Sequence, residues 1–476
     1  IPEVKIARGT VDGNLDLAIH PQKSLRINSN LLVNDGKLVI NNVPRSLDEI
    51  NGIIQVSEQA VKFNNVQTKY DRVAGVVNGN LNYNTGYQLS AKTTSISLPD
   101  IFKSINVKSP FPLVGTAVGA LQLTGKLDRP ILAGKFQNSQ PSQVDRVPVD
   151  RVNGNFRLAD GRIKLDAIAQ PKLGGKVTTQ GEIQLLKTPQ TRFQVRGDNL
   201  PGDTLTRLYG AKLPPQVKLG NAALLGTIGG AGADIYTNLR VSTPQSTFPG
   251  ITDLQITPQG KAIVRGATLQ AAGGKVNVTG EVDATNWRLN LQPKDLDTRK
   301  LAKIAGMNLP ANYQGKLGGT IQATGLNKDI EIDRIQAHGG LNLQLAAGQV
   351  KANQFTLDRG KWQANVSSDA IDLQQLDRSL PTGVASGNFN LNGNGLKKMA
   401  IDTILAQGRG KVKLDAGTIE SNDLKIANGE WQGIFSTDNL QISKLNPQVR
   451  GNLNGKFNLA GNLKKITPES IRGRGV

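Results

Sequence analysis

Gly387-Asn388-Phe389-Asn390-Leu391-Asn392-Gly393 decides the fold, because two large apolar residues alternate with asparagines between two glycines. A period of two puts Phe389 and Leu391 on one face of a β-strand and the asparagines on the other. The same frame returns at Gly119–Gly125 with Leu121 and Leu123, and at Gly220–Gly226 with Ala222 and Leu224. It returns again at Gly319–Gly325 with Ile321 and Ala323, and at Gly455–Gly461 with Phe457 and Leu459. The five starts lie 101, 99, 68 and 68 residues apart, which makes the chain an internal repeat.

The flanks keep the same beat. Gly174-Gly175-Lys176-Val177, followed by Gly181-Glu182-Ile183, recurs as Gly273-Gly274-Lys275-Val276 with Gly280-Glu281-Val282. Asp48 to Gly52 recurs as Asp150 to Gly154, and Gly360-Lys361-Trp362-Gln363 as Gly429-Glu430-Trp431-Gln432. Turn signals at Asn34-Asp35-Gly36, Asp160-Gly161 and Asn428-Gly429 separate the alternating runs at hairpin spacing. A short helix is expected before each cassette: after Pro99, from Asp203 (read as an N-cap), from Asp297, from Asp372, and near Leu440 to Leu445. A proline closes each one, at Pro110, Pro214, Pro310, Pro381 and Pro447. The repeat units run 1–118, 119–219, 220–318, 319–386, 387–454 and a partial 455–476.

Composition limits how these strands can be covered. Aromatic residues are 4% of the chain, too few for a second packed sheet with interdigitating rings. Five two-turn helices cannot cover the 35–40 strands expected at ~10–12 residues apiece. A sheet with one apolar face must bury that face. The fold class expected is therefore all-β: a single long sheet, curled on itself like a taco, with an apolar inner groove and a few short helices. At ~4.8 Å per strand such a ladder is roughly 170–190 Å long, the length of a connector. The ten cassette residues named above are expected to line the groove and to perform no chemistry.

In order, a helix-and-proline segment, the glycine cassette, Leu127-Asp128-Arg129-Pro130, Asp150-Arg151-Val152-Asn153-Gly154, a strand ending in Asp160-Gly161, and Gly174-Gly175-Lys176-Val177 ending in Gly181-Glu182 resemble the repeats of the TamB and AsmA-like family. That family includes the inner-membrane half of the translocation and assembly module and a chloroplast inner-envelope homologue. The resemblance covers nearly the whole chain. It implies a taco-shaped sheet bridging two membranes, with phospholipid acyl chains in the groove or a part in assembling outer-membrane β-barrel proteins. It implies a place in the periplasm or chloroplast intermembrane space, tethered to the inner membrane. The family's N-terminal membrane helix and its C-terminal domain, which meets the outer-membrane barrel partner, are not matched here. The opening Ile1 reads as the start of a segment of a longer chain.

Other chemistries find little support. Cysteine is absent, so no disulfide or thiolate site exists. Of the two histidines, His338 sits where the next repeat has Gln407, and His20 precedes a proline; both read as surface or loop residues. No ligand spacing for a metal occurs, and no cofactor is expected. Gly125-Lys126 and Gly410-Lys411 lack the rest of a phosphate loop, and the glycine-rich run from Gly229 reads as a tight turn. Glu182 and Glu281 read as solvated outer-face residues. The net charge of +20 is spread along the chain, with small clusters at Lys464-Lys465 and Arg472 and Arg474. Without stacking aromatics it does not indicate nucleic acid; it suits solubility, edge protection and attraction to anionic lipid. A β-solenoid adhesin with a closed core is the alternative, and a polysaccharide-cleaving β-helix stands third.

Overall fold

A computed structural model describes residues 4–19, 26–40, 45–104, 109, 112–210, 213, 216–304, 309–310, 313–328, 330–331, 334–395, 403–445, 448–463 and 471–475. Strand accounts for 71% of the chain and helix for 7%, so no helical layer covers the strands. They form one antiparallel sheet of 32 strands. The sheet is open: Val4–Ala18 pairs only with Arg26–Ile40, and Arg472–Gly475 only with Asn452–Asn462, among the described residues. The count falls below 35–40 because many strands run 10–15 residues.

Every cassette is a strand: Thr116–Lys126, Asn221–Ala231, Gly315–Leu326, Gly383–Asn394 and Asn452–Asn462. Each follows a helical segment: α1 (Leu98–Ser104), α2 (Gly202–Leu208), α3 (Thr298–Ile304), α4 (Leu373–Leu376) and a single 3-10 turn at Ile442–Lys444. Pro310 and Pro381 lie beyond α3 and α4 in non-helical chain; Pro110, Pro214 and Pro447 fall outside the described residues. Asp297 and Asp372 cap their helices, each accepting from two backbone amides of the first turn. Asp203 does not cap α2. Pro201 occupies the N-cap position, and the Asp203 carboxylate accepts from the amides of Leu219 and Gly220 at 2.8 and 2.9 Å, tying α2 to the start of its cassette strand.

One backbone device precedes four of these segments. A residue with left-handed φ (Asn199, Asp295, Ala370 or Asn439) is followed by a buried aliphatic one: Leu200, Leu296, Ile371 or Leu440. The strand register slips there, between Gly197 and Leu200, Ser368 and Ile371, and Thr437 and Leu440. These are β-bulges, and the extra residue turns the following aliphatic side chain inward. The neighbouring strand must approach the bulge closely, and glycine makes that possible. A β-carbon on Gly348 would stand 2.9 Å from Ile371 Cδ1, and one on Gly417 3.0 Å from Leu440 Cα; both glycines have left-handed φ, 143° and 137°. Gly175 and Gly274, the second glycines of the recurring Gly-Gly-Lys-Val motif, do the same at Asn199 and Asp295. Asn34-Asp35-Gly36 is also a bulge. It lies inside the Arg26–Ile40 strand with Asp35 at φ 48° and a register slip between Val33 and Gly36, so it does not turn the chain. Asp160-Gly161 and Asn428-Gly429 are hairpin turns, with positive φ at both residues as a type I′ turn needs.

The contacts divide the chain into two compact units. The first holds Ile1–Gly210, Leu219–Pro244 and Gln255–Gln259; the second holds Ala211–Lys218, Gln245–Leu254 and Gly260–Val476. In the first unit the strands bend. α1 is bound at the start of the Thr116–Lys126 strand, where Leu98 donates to the Gly115 carbonyl. Yet its Phe102 packs on the cluster of Ile163, Ile183 and Phe193. Ile163 lies in register with Leu123, through Leu158 and Leu132, some six residues or ~20 Å along the strand direction from Ala117. Phe102 reaches that row because the strands curl and bring their two ends towards each other.

Two outcomes follow from this geometry. Gly348→Ala should lower stability by about 1–3 kcal/mol in urea unfolding, since a β-carbon there meets both strain and Ile371. Gly266→Ala, with nothing within 4 Å of the added carbon, should be near neutral. The two backbone amides hold the Asp203 carboxyl below its ordinary 3.8. A carboxyl depressed in the folded state adds stability above its unfolded pKa and loses it as pH falls through the folded value. Thermal midpoints between about pH 5 and pH 2 should therefore fall more steeply for the wild type than for Asp203→Asn.

Candidate apolar lining

The cassette residues share the less exposed face of their strands. Ala222 and Ala323 are buried; Leu121, Leu123, Leu224, Ile321, Phe389, Leu391, Phe457 and Leu459 are half-buried. Between them, Ala120, Gln122, Thr320, Gln322, Asn390 and Asn458 are exposed. The alternation read from Gly387–Gly393 is thus the alternation of faces.

Pairing register joins these residues into rows that cross many strands. In the first unit one row reads Val77, Ala91, Leu121, Gly134, Phe156, Leu165, Gly181, Phe193, Ile228. A second reads Leu89, Leu123, Leu132, Leu158, Ile163, Ile183. Leu224 stands between Gly197 and Val241, and Ala222 opposite Leu200. In the second unit a row runs Val278, Leu291, Ile321, Gly339, Phe355, Ala364, Leu391, Ala406, Ile426, Trp431, Gly461. Phe389, Gly408, Leu424, Gly433, Leu459 and Gly473 form another, and Phe457 stands opposite Phe435. No charged residue interrupts any of them.

Large residues in these rows repeatedly face glycine. A β-carbon on Gly325 would sit 2.6 Å from Trp287, on Gly393 2.7 Å from Trp362, and on Gly461 2.8 Å from Trp431. All three tryptophans of the chain therefore lie on the closing glycine of a cassette. In the first cassette that glycine, Gly125, faces Tyr87, whose phenol is pushed up by burial; in the second, Gly226 faces Val195. Phe136 lies on Gly154, Phe156 on Gly134, Phe193 on Gly181 and Phe389 on Gly408. A ring lying on a bare backbone covers it with apolar area without standing tall above the sheet. This packing has a cost: the indole N–H groups of Trp287 and Trp362 are buried with no hydrogen-bond partner, a penalty of about 1–3 kcal/mol each. Trp431 also meets Phe435 edge to face, centroids 5.8 Å apart.

These aromatic–glycine pairs were not foreseen from the cassettes alone. The tandem Gly360–Gln363 and Gly429–Gln432 motifs flagged Trp362 and Trp431, but the paired glycine lies beyond a helix, at a distance that only the register supplies.

Charged groups keep out of these rows, although the buried Ser421 hydroxyl, without a hydrogen-bond partner, stands opposite Phe435 on the lining side. Glu281 pairs with Lys261 at 2.6 Å and Arg288 at 3.6 Å, and the Lys261 ammonium holds its carboxyl below the ordinary range. Glu182 stands opposite Lys164 and Arg192. His338 is exposed mid-strand between Gln322 and Thr356, and Gln407 takes the matching place next to Asn390; His20 and Lys464-Lys465 lie outside the described residues. The run from Gly229 ends in a tight turn at Gly232 and Ala233. No group of three His, Cys, Asp or Glu side chains that could hold a metal occurs among the described residues. No helix among them is long and apolar enough to cross a membrane. Comparison with family models, curated proteins and solved structures returns no match to this chain.

The ring-on-glycine contacts carry a direct expectation. Gly393→Ala should displace the Trp362 ring, lower stability by about 1–3 kcal/mol and shift tryptophan emission to longer wavelength. Unchanged emission together with unchanged urea midpoint would contradict the contact.

Proposed function

We propose that the chain is a stretch of a TamB-like bridge whose apolar groove conducts phospholipid acyl chains. The observation that supports this most is the continuity of the apolar rows: they cross from strand to strand without a charge, and most of their side chains are only half-buried. An acyl chain on such a row gains ~0.8 kcal/mol per CH₂ removed from water and meets no polar barrier to sliding. A closed solenoid core would bury these residues fully. Among the described residues, Val66 is the side chain left with essentially no exposure. The reading is non-catalytic. It places the protein between two membranes, in the periplasm or the chloroplast intermembrane space, with an inner-membrane tether. Help in assembling outer-membrane β-barrel proteins, through a barrel partner, is the second part of the same family reading. The positive charge, held on the outer face, suits attraction to anionic headgroups.

Leu391 tests the groove. It stands between the small side chains of Ala364 and Ala406 and is itself only half-buried. Leu391→Asp should unfold within about 1–2 kcal/mol of the wild type, yet lose co-purifying phospholipid in native mass spectrometry and slow lipid transfer between vesicles. Asn390→Asp, on the outer face and bonded to Asn365, should do neither. A folded Leu391→Asp chain with undiminished lipid would overturn the groove assignment; severe unfolding would favour a closed core.

A further inference from the structure

In the second unit a cleft of about 580 Å³ opens between the end of α3 and the turn joining the Ala262–Ala271 and Gly274–Val282 strands. Its apolar walls include Val217, Phe248, Ala271 and Ile304. Ile304 is 60% exposed, a branched side chain left facing water. One helical turn earlier, on the same face of α3, Lys300 reaches the cleft's rim. Its Nζ lies 3.1 Å from where a β-carbon on the lining residue Gly273 would stand. Lys300 has no ion-pair partner among the described residues. The result is an apolar hollow with one unneutralised ammonium at its edge.

The repeat supplies an internal comparison. In the first unit α2 precedes its cassette as α3 does in the second, and Arg146 meets the end of α2 where Thr247 and Phe248 line the cleft beside α3. That place is closed by three polar ties. Arg146 donates to the Leu208 carbonyl at 3.5 Å, its guanidinium lies 5.6 Å from the centre of the Tyr209 ring, and the Tyr209 hydroxyl bonds Asp145. In the second unit Phe248 lines the cleft, Ile304 ends α3 as Leu208 ends α2, and the sequence continues with Ala305 where Tyr209 follows Leu208. The polar ties made by Arg146 and Tyr209 at the end of α2 have no counterpart in Phe248 and Ile304, which line the cleft.

We propose that this cleft binds a single-chain amphiphile with an anionic head, a fatty acid, with its tail against Val217, Phe248 and Ile304 and its carboxylate on Lys300. The volume falls in the ~300–1,000 Å³ range of small-ligand sites. One ammonium matches one negative charge, and an uncharged head would leave it unmatched. The site stands apart from the groove reading and needs no transport to be true.

The probe is laurate, carrying a photoreactive diazirine on its tail, with dodecanol as its uncharged counterpart, applied to the intact chain. Crosslinks mapped by mass spectrometry should concentrate on the peptides holding Phe248 and Ile304. In titrations, laurate should bind more tightly than dodecanol. Lys300→Gln should weaken laurate about fivefold, roughly one exposed charge contact, and leave dodecanol unchanged; Lys300→Arg should restore laurate. Leu391→Asp should leave these crosslinks in place, so loss of the groove reading and loss of this site are separable results. Crosslinks spread evenly over the apolar rows, equal binding of laurate and dodecanol, or laurate binding indifferent to Lys300→Gln would each overturn the proposal.

Discussion

Where Trp362 meets Gly393, the ring rests on a backbone that has no β-carbon, and the neighbouring strand can lie beneath it at ordinary spacing. Two bulky side chains facing each other there would push away from the sheet and fill the hollow side of a curled surface. Pairing large with small across the ladder keeps the lining low while still covering the peptide groups. The Phe389–Gly408–Leu424–Gly433–Leu459–Gly473 row repeats that alternation over six strands. It accounts for the abundant glycine of a chain that is mostly strand, where glycine in itself weakens a strand. The buried, unpartnered indoles of Trp287 and Trp362 measure how far apolar coverage outweighs a lost hydrogen bond here.

The bulges and helices solve a second problem, at the strand ends. A sheet whose strands bend needs to change direction without exposing its apolar face. The left-handed residue before Leu200, Leu296, Ile371 and Leu440 sends one aliphatic side chain inward just before the chain leaves the sheet. The helix that follows is short because it spans only the step to the next cassette strand. Asp203, Asp297 and Asp372 spend their carboxylates on backbone amides at these steps, so the junctions are held by polar groups that stay clear of the lining.

Much of this was legible in the sequence, because period-two alternation and repeat spacing are local signals. The cassette strands, the five helical segments and the faces of Phe389 and Leu391 all followed from them. What failed was also local. Asn34-Asp35-Gly36 and Asp160-Gly161 have the same turn chemistry, since both need left-handed φ. A bulge and a hairpin differ only in whether the strand continues, and that is settled by pairing with residues such as Ile50. Asp203 looked like a cap because it opens a helical pattern, but its carboxylate found two free amides sixteen and seventeen residues on. Register between strands, which unites Trp287 with Gly325, leaves no trace at any fixed sequence distance.

The two faces of each strand therefore answer to different constraints. The outer face tolerates interruption: Leu225 and Ile434 stand exposed among polar neighbours, and pairs such as Lys261–Glu281 form where chance of register allows. Such exposed pairs contribute little to stability, about 0–1 kcal/mol each. The lining tolerates none, because one unpaired charge in a half-buried row would draw water to it and break the apolar contact on both sides. A chain with a net charge of +20 that keeps every charge out of these rows is under a constraint that solubility alone does not impose. Folding needs an apolar face, but it does not need that face to be continuous across eleven strands. That continuity is the feature stability leaves unexplained, and it is what the acyl-chain ligand proposed above would require.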